Sequence, residues 1–208
     1  MSRRQFNTLA TPSLVVPSAA LLPGCAGAGE SYESAIARTW RVERQPGLQG
    51  AALNTELVRC ATLAASSHNT QCWKFALDGQ AITILPDLSR RCPVVDPDDH
   101  HLYTSLGCAA EHLVQAAAAY GLESKVSFDA ARDGVRIELQ PSANSTTQAS
   151  PLFAAMAQRQ CTRNEYDGKP LSSDELALLQ RAGSSDRVQL LLLTDKTKME
   201  QVLDYIVQ

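Results

Sequence analysis

The stretch Ala-Ala-Ser-Ser-His-Asn-Thr-Gln-Cys-Trp at residues 64–73 joins an apolar helical pattern to an aromatic strand pattern. Five of its residues are small and polar or carry an amide. Hydroxyl groups and the amides of Asn69 and Gln71 both donate and accept hydrogen bonds, so together they suit the polar edge of a planar, uncharged heterocycle. In the alternative interpretation, Ser66 and Ser67 only stop a helix and Asn69 shapes a turn.

A helical pattern precedes this loop and a hairpin pattern follows it. Apolar residues recur at helical spacing from Thr55 to Ala65. After the loop, residues 73–77 and 81–85 alternate like strands, and Asp78-Gly79 between them is a hairpin signal. The sequence therefore predicts a helix, the polar loop and a β-hairpin in that order.

A second helix and hairpin follow. The acidic residues between Asp96 and Asp99 precede an alanine-rich helix predicted from His101 to Tyr120, and Gly121 is well placed to stop it. Residues 126–128 and 135–139 are predicted to form a second pair of strands around Asp133-Gly134.

The Ser/Thr/Asn/Gln stretch at 142–150 is the best internal boundary, and we interpret it as a linker. The elements expected after it are a helix opening at Ser150-Pro151, a helix from the capping box of Ser172 and Glu175 to Gly183, a buried strand from Val188 to Leu193, and a helix from Asp195 to Val207. This last pattern has no stop signal before Gln208, so we expect the chain to be a fragment of a longer protein.

The polar loop resembles a known family. Ala64 to Phe75 is similar to the FMN loop of nitroreductase-like proteins, and the His-Asn-Thr-Gln sequence at residues 68–71 resembles the Acg subfamily. The motifs that continue this resemblance in order and spacing are Leu85 to Arg90, Val95 to Pro97, Ser105 to Ala110 and Arg159 to Pro170. The resemblance spans about Leu53 to Pro170. It departs from the family at Ala65 and Cys72, where proline is usual, and at Asp99-His100, where an arginine is more typical.

The resemblance implies an α+β, nitroreductase-like fold with a mixed, mainly antiparallel sheet flanked by helices, duplicated within the full-length protein. On this interpretation residues 30–50 are a linker or arm, 51–141 form the first half and 151–208 begin a truncated second half. The resemblance also implies that the protein is a homodimer, or a monomer that mimics a dimer.

The resemblance also implies FMN as cofactor. The residues carried over to the flavin ring side are Ser66, Ser67, Asn69 and Gln71, with His68 beside them in no settled role. Arg159 and Arg163, four residues apart, can converge on a phosphate with Thr162, because the arginine fork gives two parallel charge-assisted bonds. The alternative is a solvated helix end whose cations complement the helix dipole. No residue is assigned a catalytic role.

A metal site and a hydrolase site fit the residues less well. Asp96, Asp98, Asp99, His100, His101 and His112 are of the types that ligate metals, yet acidic residues ahead of a helix are also the usual N-terminal charge pattern, and we expect no metal. Ser66 or Ser67 with His68 suggests a hydrolase, but the nucleophile elbow G-x-S-x-G is absent from the sequence, as are dinucleotide and P-loop signatures.

Residues 1–29 are interpreted as an export signal. Arg3 and Arg4 precede a weakly apolar stretch, which is typical of a twin-arginine signal, although an ordinary basic signal region or an exposed terminus remains open. Residues 22–25 resemble a lipobox, so Cys25 is a possible lipid anchor. We therefore expect the twin-arginine machinery as a partner. The expected location is the periplasm, or the outer side of the cytoplasmic membrane with a tether.

Composition and charge argue against one class of partner. The 208 residues carry a net charge of −3 and no basic block interleaved with aromatics, so we expect no nucleic-acid partner. The six cysteines include no C-x-x-C pair, and their pairing cannot be deduced from the sequence.

Three functions remain open at this point. The first is an FMN-dependent oxidoreductase that passes two electrons to a nitro, quinone or similar small-molecule acceptor. The second is an FMN storage or sequestration protein with little turnover, and the third is an exported protein that binds another heterocycle.

Overall fold

The computed structural model describes residues 30–41, 43–143, 151–185 and 188–207. Its helices are α1 (Tyr32–Thr39), α2 (Gly50–Thr62), α3 (His100–Ala119), α4 (Pro151–Ala155), α5 (Ser173–Gly183) and α6 (Lys196–Val207), and its strands are β1 (Trp73–Asp78), β2 (Ala81–Pro86), β3 (Leu122–Asp129) and β4 (Gly134–Pro141). The predictions for the export signal and for residues 144–150 lie outside the described residues.

The four strands form one antiparallel sheet in the order β1-β2-β4-β3. Both predicted hairpins are confirmed: Asp78 pairs with Ala81, and Asp129 pairs with Gly134. In the second turn Asp133 has φ 52°, a left-handed conformation that Asp adopts more readily than most residues. The predicted α+β class is therefore confirmed.

Helix α3 packs on this sheet, and α2 packs on α3. Leu106 and Leu113 of α3 are fully buried together with Ile82 and Ile84 of β2 and Ile137 of β4. The helix ends as predicted, because Gly121 has φ 76° and takes the left-handed conformation that stops a helix. In the part of the chain that the structure describes, no helix is both long and apolar enough to cross a membrane.

Residues 30–50, interpreted above as a linker or arm, include helix α1, which the sequence patterns do not predict. Ser31 caps this helix by accepting a hydrogen bond from the Ser34 amide at 3.1 Å. A buried carboxylate holds the segment after it, because Glu56 of α2 is bonded by both Arg41 and Arg59. Burial raises the pKa of Glu56, but Arg59 and Arg41 outweigh burial and lower it overall. The arm is thus tied to α2 by a paired charge.

The chain divides into two compact units after Arg159, at a later position than the predicted linker at 142–150. Helix α4 belongs to the first unit: it packs against α3 and buries Phe153. The interpretation of 151–208 as the start of a second half stays a prediction.

The second unit confirms the predicted capping box and corrects the strand. The Ser172 hydroxyl accepts from the Glu175 amide and the Glu175 carboxylate accepts from the Ser172 amide, so α5 begins where the motif places it. The buried strand predicted at Val188 to Leu193 is wrong. Only an isolated bridge joins Val188 to Ser185, and Leu191 is 76% exposed, because no neighbouring strand among the described residues covers this apolar run.

Candidate functional site

The polar loop has an unusual backbone. His68, Asn69 and Gln71 have φ values of 52°, 54° and 50°, in the left-handed region that non-glycine residues seldom occupy. Such a conformation costs on the order of 1–3 kcal/mol per residue and persists only where the surroundings impose it. Strained residues of this kind cluster at binding and active sites, so the loop is a candidate site on conformation as well as composition.

Hydrogen bonds within the loop impose this shape. The Ser66 hydroxyl accepts from the Gln71 amide at 3.0 Å, and the Ser66 carbonyl accepts from the Asn69 amide at 3.0 Å. The Ser67 carbonyl accepts from both the amide and the hydroxyl of Thr70. The two serines therefore close a compact turn, and the same turn carries the amide side chains.

Two residues outside the loop anchor it. The Ser105 hydroxyl of α3 accepts from the Ser67 amide at 3.1 Å and donates to the His101 carbonyl at 2.6 Å. Arg90 donates from Nη1 to the Thr70 carbonyl at 3.2 Å. Sequence reasoning assigned no role to Ser105 or Arg90, although both lie in motifs that carry the family resemblance. Each contact bridges distant parts of the chain, so spacing alone could not find it.

The loop turns its amide side chains outward. Asn69 and Gln71 are exposed, as is His68, whose Nδ1 lies 3.0 Å from the Ser67 hydroxyl oxygen. The side-chain amides of Asn69 and Gln71 make no hydrogen bond to the rest of the described chain. The loop therefore presents neutral donors and acceptors on a fixed backbone.

The Asp96 side chain caps the start of α3. Its two carboxylate oxygens accept from the amides of His101 and Leu102, each at 3.0 Å. Burial raises the pKa of Asp96, but these amide hydrogen bonds and the His101 side chain together outweigh burial and lower it overall. Because Asp96 is used in this way, its place ahead of the helix is explained by helix capping. Among the described residues, no group of three or more His, Cys, Asp or Glu side chains is arranged to hold a metal ion.

The residues predicted for phosphate fall in different units. Arg159 belongs to the first unit, where it is half-buried and donates to the Leu63 carbonyl at the end of α2 at 3.4 Å. Burial, reinforced by the charge of Arg159, lowers the pKa of His112. Thr162 and Arg163 are exposed in the second unit. Arg159 therefore lies beside the residue that leads into the loop, and its convergence with Arg163 stays a prediction.

Comparison with known proteins relates the chain to nitroreductases. No family model matches it. Two curated relatives from two strains of Mycobacterium tuberculosis, named "Putative NAD(P)H nitroreductase MT3217" and "Putative NAD(P)H nitroreductase Rv3131", are each 29% identical to it over 149 residues. The match covers 69% of this chain and 42% of each relative, so the chain spans less than half the length of these relatives.

Two solved structures are also similar. A "Putative NADH Oxidase" from Clostridium acetobutylicum is 16% identical with a TM-score of 0.39, over 63% of this chain and 99% of that one. A nitroreductase family protein from Streptococcus pneumoniae TIGR4 is 15% identical with a TM-score of 0.38, over 67% of this chain and 96% of that one.

Proposed function

We propose that this chain is part of an exported, FMN-binding oxidoreductase of nitroreductase type that reduces nitro, quinone or similar acceptors by two electrons. The observation that carries the proposal is the loop at 66–71, in which His68, Asn69 and Gln71 are left-handed and which Ser105 and Arg90 anchor through Ser67 and Thr70. The similarity to curated nitroreductases over 149 residues supports it independently.

The loop fits the ring of FMN by its donor set. The flavin ring edge alternates carbonyls and ring nitrogens, and the outward amides of Asn69 and Gln71 can each donate and accept. Ser66 and Ser67 are half-buried at the base of the loop, where the Ser66 hydroxyl accepts from the Gln71 amide and the Ser67 hydroxyl lies 3.0 Å from Nδ1 of His68. In this assignment the amides contact the ring, and the serines and His68 shape the turn that presents them.

The phosphate of FMN requires cations. We assign it to Arg159, Arg163 and the hydroxyl of Thr162, because a guanidinium gives charge-assisted bonds to a phosphate dianion. Arg159 supports this assignment by its position: it bonds Leu63, directly before the loop. No metal is needed for this arrangement.

Bound FMN supplies two-electron chemistry at its N5 atom. The part of the chain described here then contributes binding and orientation: the fixed loop sets the ring edge, and the arginines hold the phosphate end. The names of the curated relatives point to NAD(P)H as the reductant.

Turnover tests the enzymatic part of the proposal. The full-length protein, purified with its cofactor, is assayed with NADPH or NADH against a quinone and a nitroaromatic acceptor. We expect acceptor reduction in proportion to FMN content. An FMN-loaded protein that reduces neither acceptor, even after its flavin has been reduced by dithionite, would instead be a storage or sequestration protein.

Export is the second part of the proposal. It is supported by Arg3 and Arg4 ahead of a weakly apolar stretch, and by the need to carry a non-covalent cofactor out in a folded protein. Changing both arginines to lysine should trap the precursor in the cytoplasm, as measured by fractionation of the cells. Arg38→Lys with Arg44→Lys is the matched control. Export of the Arg3/Arg4 variant at the normal level would contradict the twin-arginine route.

A further inference from the structure

Two cysteines line one small cavity behind the polar loop. The cavity has a volume of about 10 Å³, roughly the room of one water molecule, and its walls include Cys72, Cys92, Arg91 and Leu102. The two thiol-bearing residues therefore border the same narrow space.

The backbone on both sides of this cavity is tied together. The Cys72 carbonyl accepts from the Asp87 amide at 2.9 Å. The Asp87 carboxylate then accepts from the amide and hydroxyl of Ser89, which fixes the short turn at Leu88–Arg90 that leads to Cys92. Arg90 returns to the loop through its bond to the Thr70 carbonyl. These contacts hold the two cysteine-bearing segments side by side.

The two thiols differ in solvent exposure. Cys72 is 2% exposed and its Sγ lies 3.9 Å from the Leu102 carbonyl, whereas Cys92 is half-buried. The more open Cys92 is the one that a small oxidant in solution can reach first. Cys60 is unsuited to such chemistry, because burial in α2 raises the pKa of its thiol to about 11.

We propose that Cys72 and Cys92 form a reversible intramolecular disulfide, with a small-molecule disulfide such as oxidised glutathione as the oxidant. The Cys92 thiolate attacks one sulfur of glutathione disulfide and releases one glutathione thiolate. The Cys72 thiolate then attacks Cys92 Sγ in the mixed disulfide and releases the second. Two cysteine thiols are oxidised, one glutathione disulfide is reduced to two glutathiones, and the two cysteine protons end on the released thiols.

The bond would fasten the end of the polar loop to the turn at Leu88–Arg90 by a covalent link. This adds to the hydrogen bond from Arg90 and restricts the loop in the oxidised protein. All of these residues belong to the first unit, and the disulfide does not require FMN.

The test counts thiols in the full chain. The protein is incubated with reduced or oxidised glutathione, denatured, and alkylated with a polyethylene glycol maleimide. We expect oxidised wild type to carry two fewer modified cysteines than the reduced protein, with recovery after dithiothreitol. Mass spectrometry of proteolytic peptides should show Cys72 joined to Cys92.

Variants decide the pairing. Cys92→Ser and Cys72→Ser should each abolish the two-thiol difference, while Cys108→Ser, a half-buried cysteine on α3, should keep it. Cys92 is partly open, so Cys92→Ser carries the test if the buried Cys72→Ser variant fails to fold. The proposal is overturned if oxidised wild type keeps all its thiols, if Cys92 stays joined to glutathione, or if Cys92→Ser retains the difference.

Discussion

The two compact units contain similar amphipathic patterns but use them differently. In the first unit, α3 covers a four-stranded sheet and buries nine of its residues, Leu106 and Leu113 among them. In the second unit, α5 and α6 bury none, although apolar residues recur along both. Apolar periodicity therefore predicts where helices form in both units. Whether those residues are buried depends on a covering layer, and only the first unit has one among the described residues.

The largest expected effect tests burial directly. Leu113→Ala removes a fully buried side chain from the centre of the first unit. We expect a loss of about 2–5 kcal/mol in the free energy of unfolding, because the lost transfer energy adds to the cost of a cavity. The measurement is chemical denaturation followed by circular dichroism.

Leu191→Ala is the matched control, since this leucine is 76% exposed in the second unit. Its effect should stay within about 0.5 kcal/mol. Equal destabilisation by the two variants would contradict the contrast between the units.

The second prediction concerns the residues that we propose bind FMN, which come from both units. Arg163→Ala should weaken FMN binding by roughly one to three orders of magnitude, since charge-assisted bonds contribute about 1.5–3 kcal/mol each. Ser67→Ala should weaken it less, because the Ser67 hydroxyl bonds His68 within the turn and such a neutral hydrogen bond contributes about 1 kcal/mol. Fluorescence titration of the apoprotein with FMN measures both. Arg181→Ala, an exposed arginine at the end of α5, is the control and should bind as wild type.

The order of these two effects is decisive. If Ser67→Ala is the more damaging, or if neither variant changes flavin affinity, the assignment of Arg159 to Arg163 to the phosphate is wrong.

A smaller effect is expected at the anchor of the loop. Ser105→Ala removes the acceptor of the Ser67 amide and should cost about 1 kcal/mol of stability. Hydrogen exchange of the amides at 66–71 should become faster. Thr104→Ala is the control, because Thr104 also donates to a helix carbonyl four residues earlier but accepts nothing from the loop. Unchanged exchange in Ser105→Ala would show that the loop keeps its shape without this contact.

The smallest expected effect is a pH dependence. Hydrogen bonds from Ser89, together with Lys74, lower the pKa of Asp87 to about 2. The folded protein therefore favours the carboxylate, and the stabilisation is complete above the ordinary aspartate pKa of about 3.9 and is lost as the pH falls towards 2. Thermal unfolding of Asp87→Asn should depend less on pH in this window than wild type. Asp98→Asn, at an exposed aspartate nearby, should keep the wild-type slope.

Sequence alone predicted the local features of the fold well. The Asp78-Gly79 and Asp133-Gly134 turns, the stop at Gly121 and the capping box at Ser172 all depend on neighbouring residues, and all are confirmed. The same reasoning failed for Val188 to Leu193, because an apolar run becomes a buried strand only beside another strand.

The candidate site was likewise predicted only in its local features. The composition of the loop identified its donors, but the left-handed backbone and the contact with Ser105 arise from tertiary structure that no spacing encodes. Helix α1 was missed because it is a short segment of eight residues with none buried, and it is placed by its own cap and by the pairing of Arg41 with Glu56 next to it.

The visible absorption spectrum of the purified full-length protein, before and after dithionite, tests the central claim of FMN binding most directly. We expect a yellow protein whose flavin bands bleach on reduction and return in air. A colourless protein that gains no flavin bands after incubation with FMN and removal of the excess would contradict it.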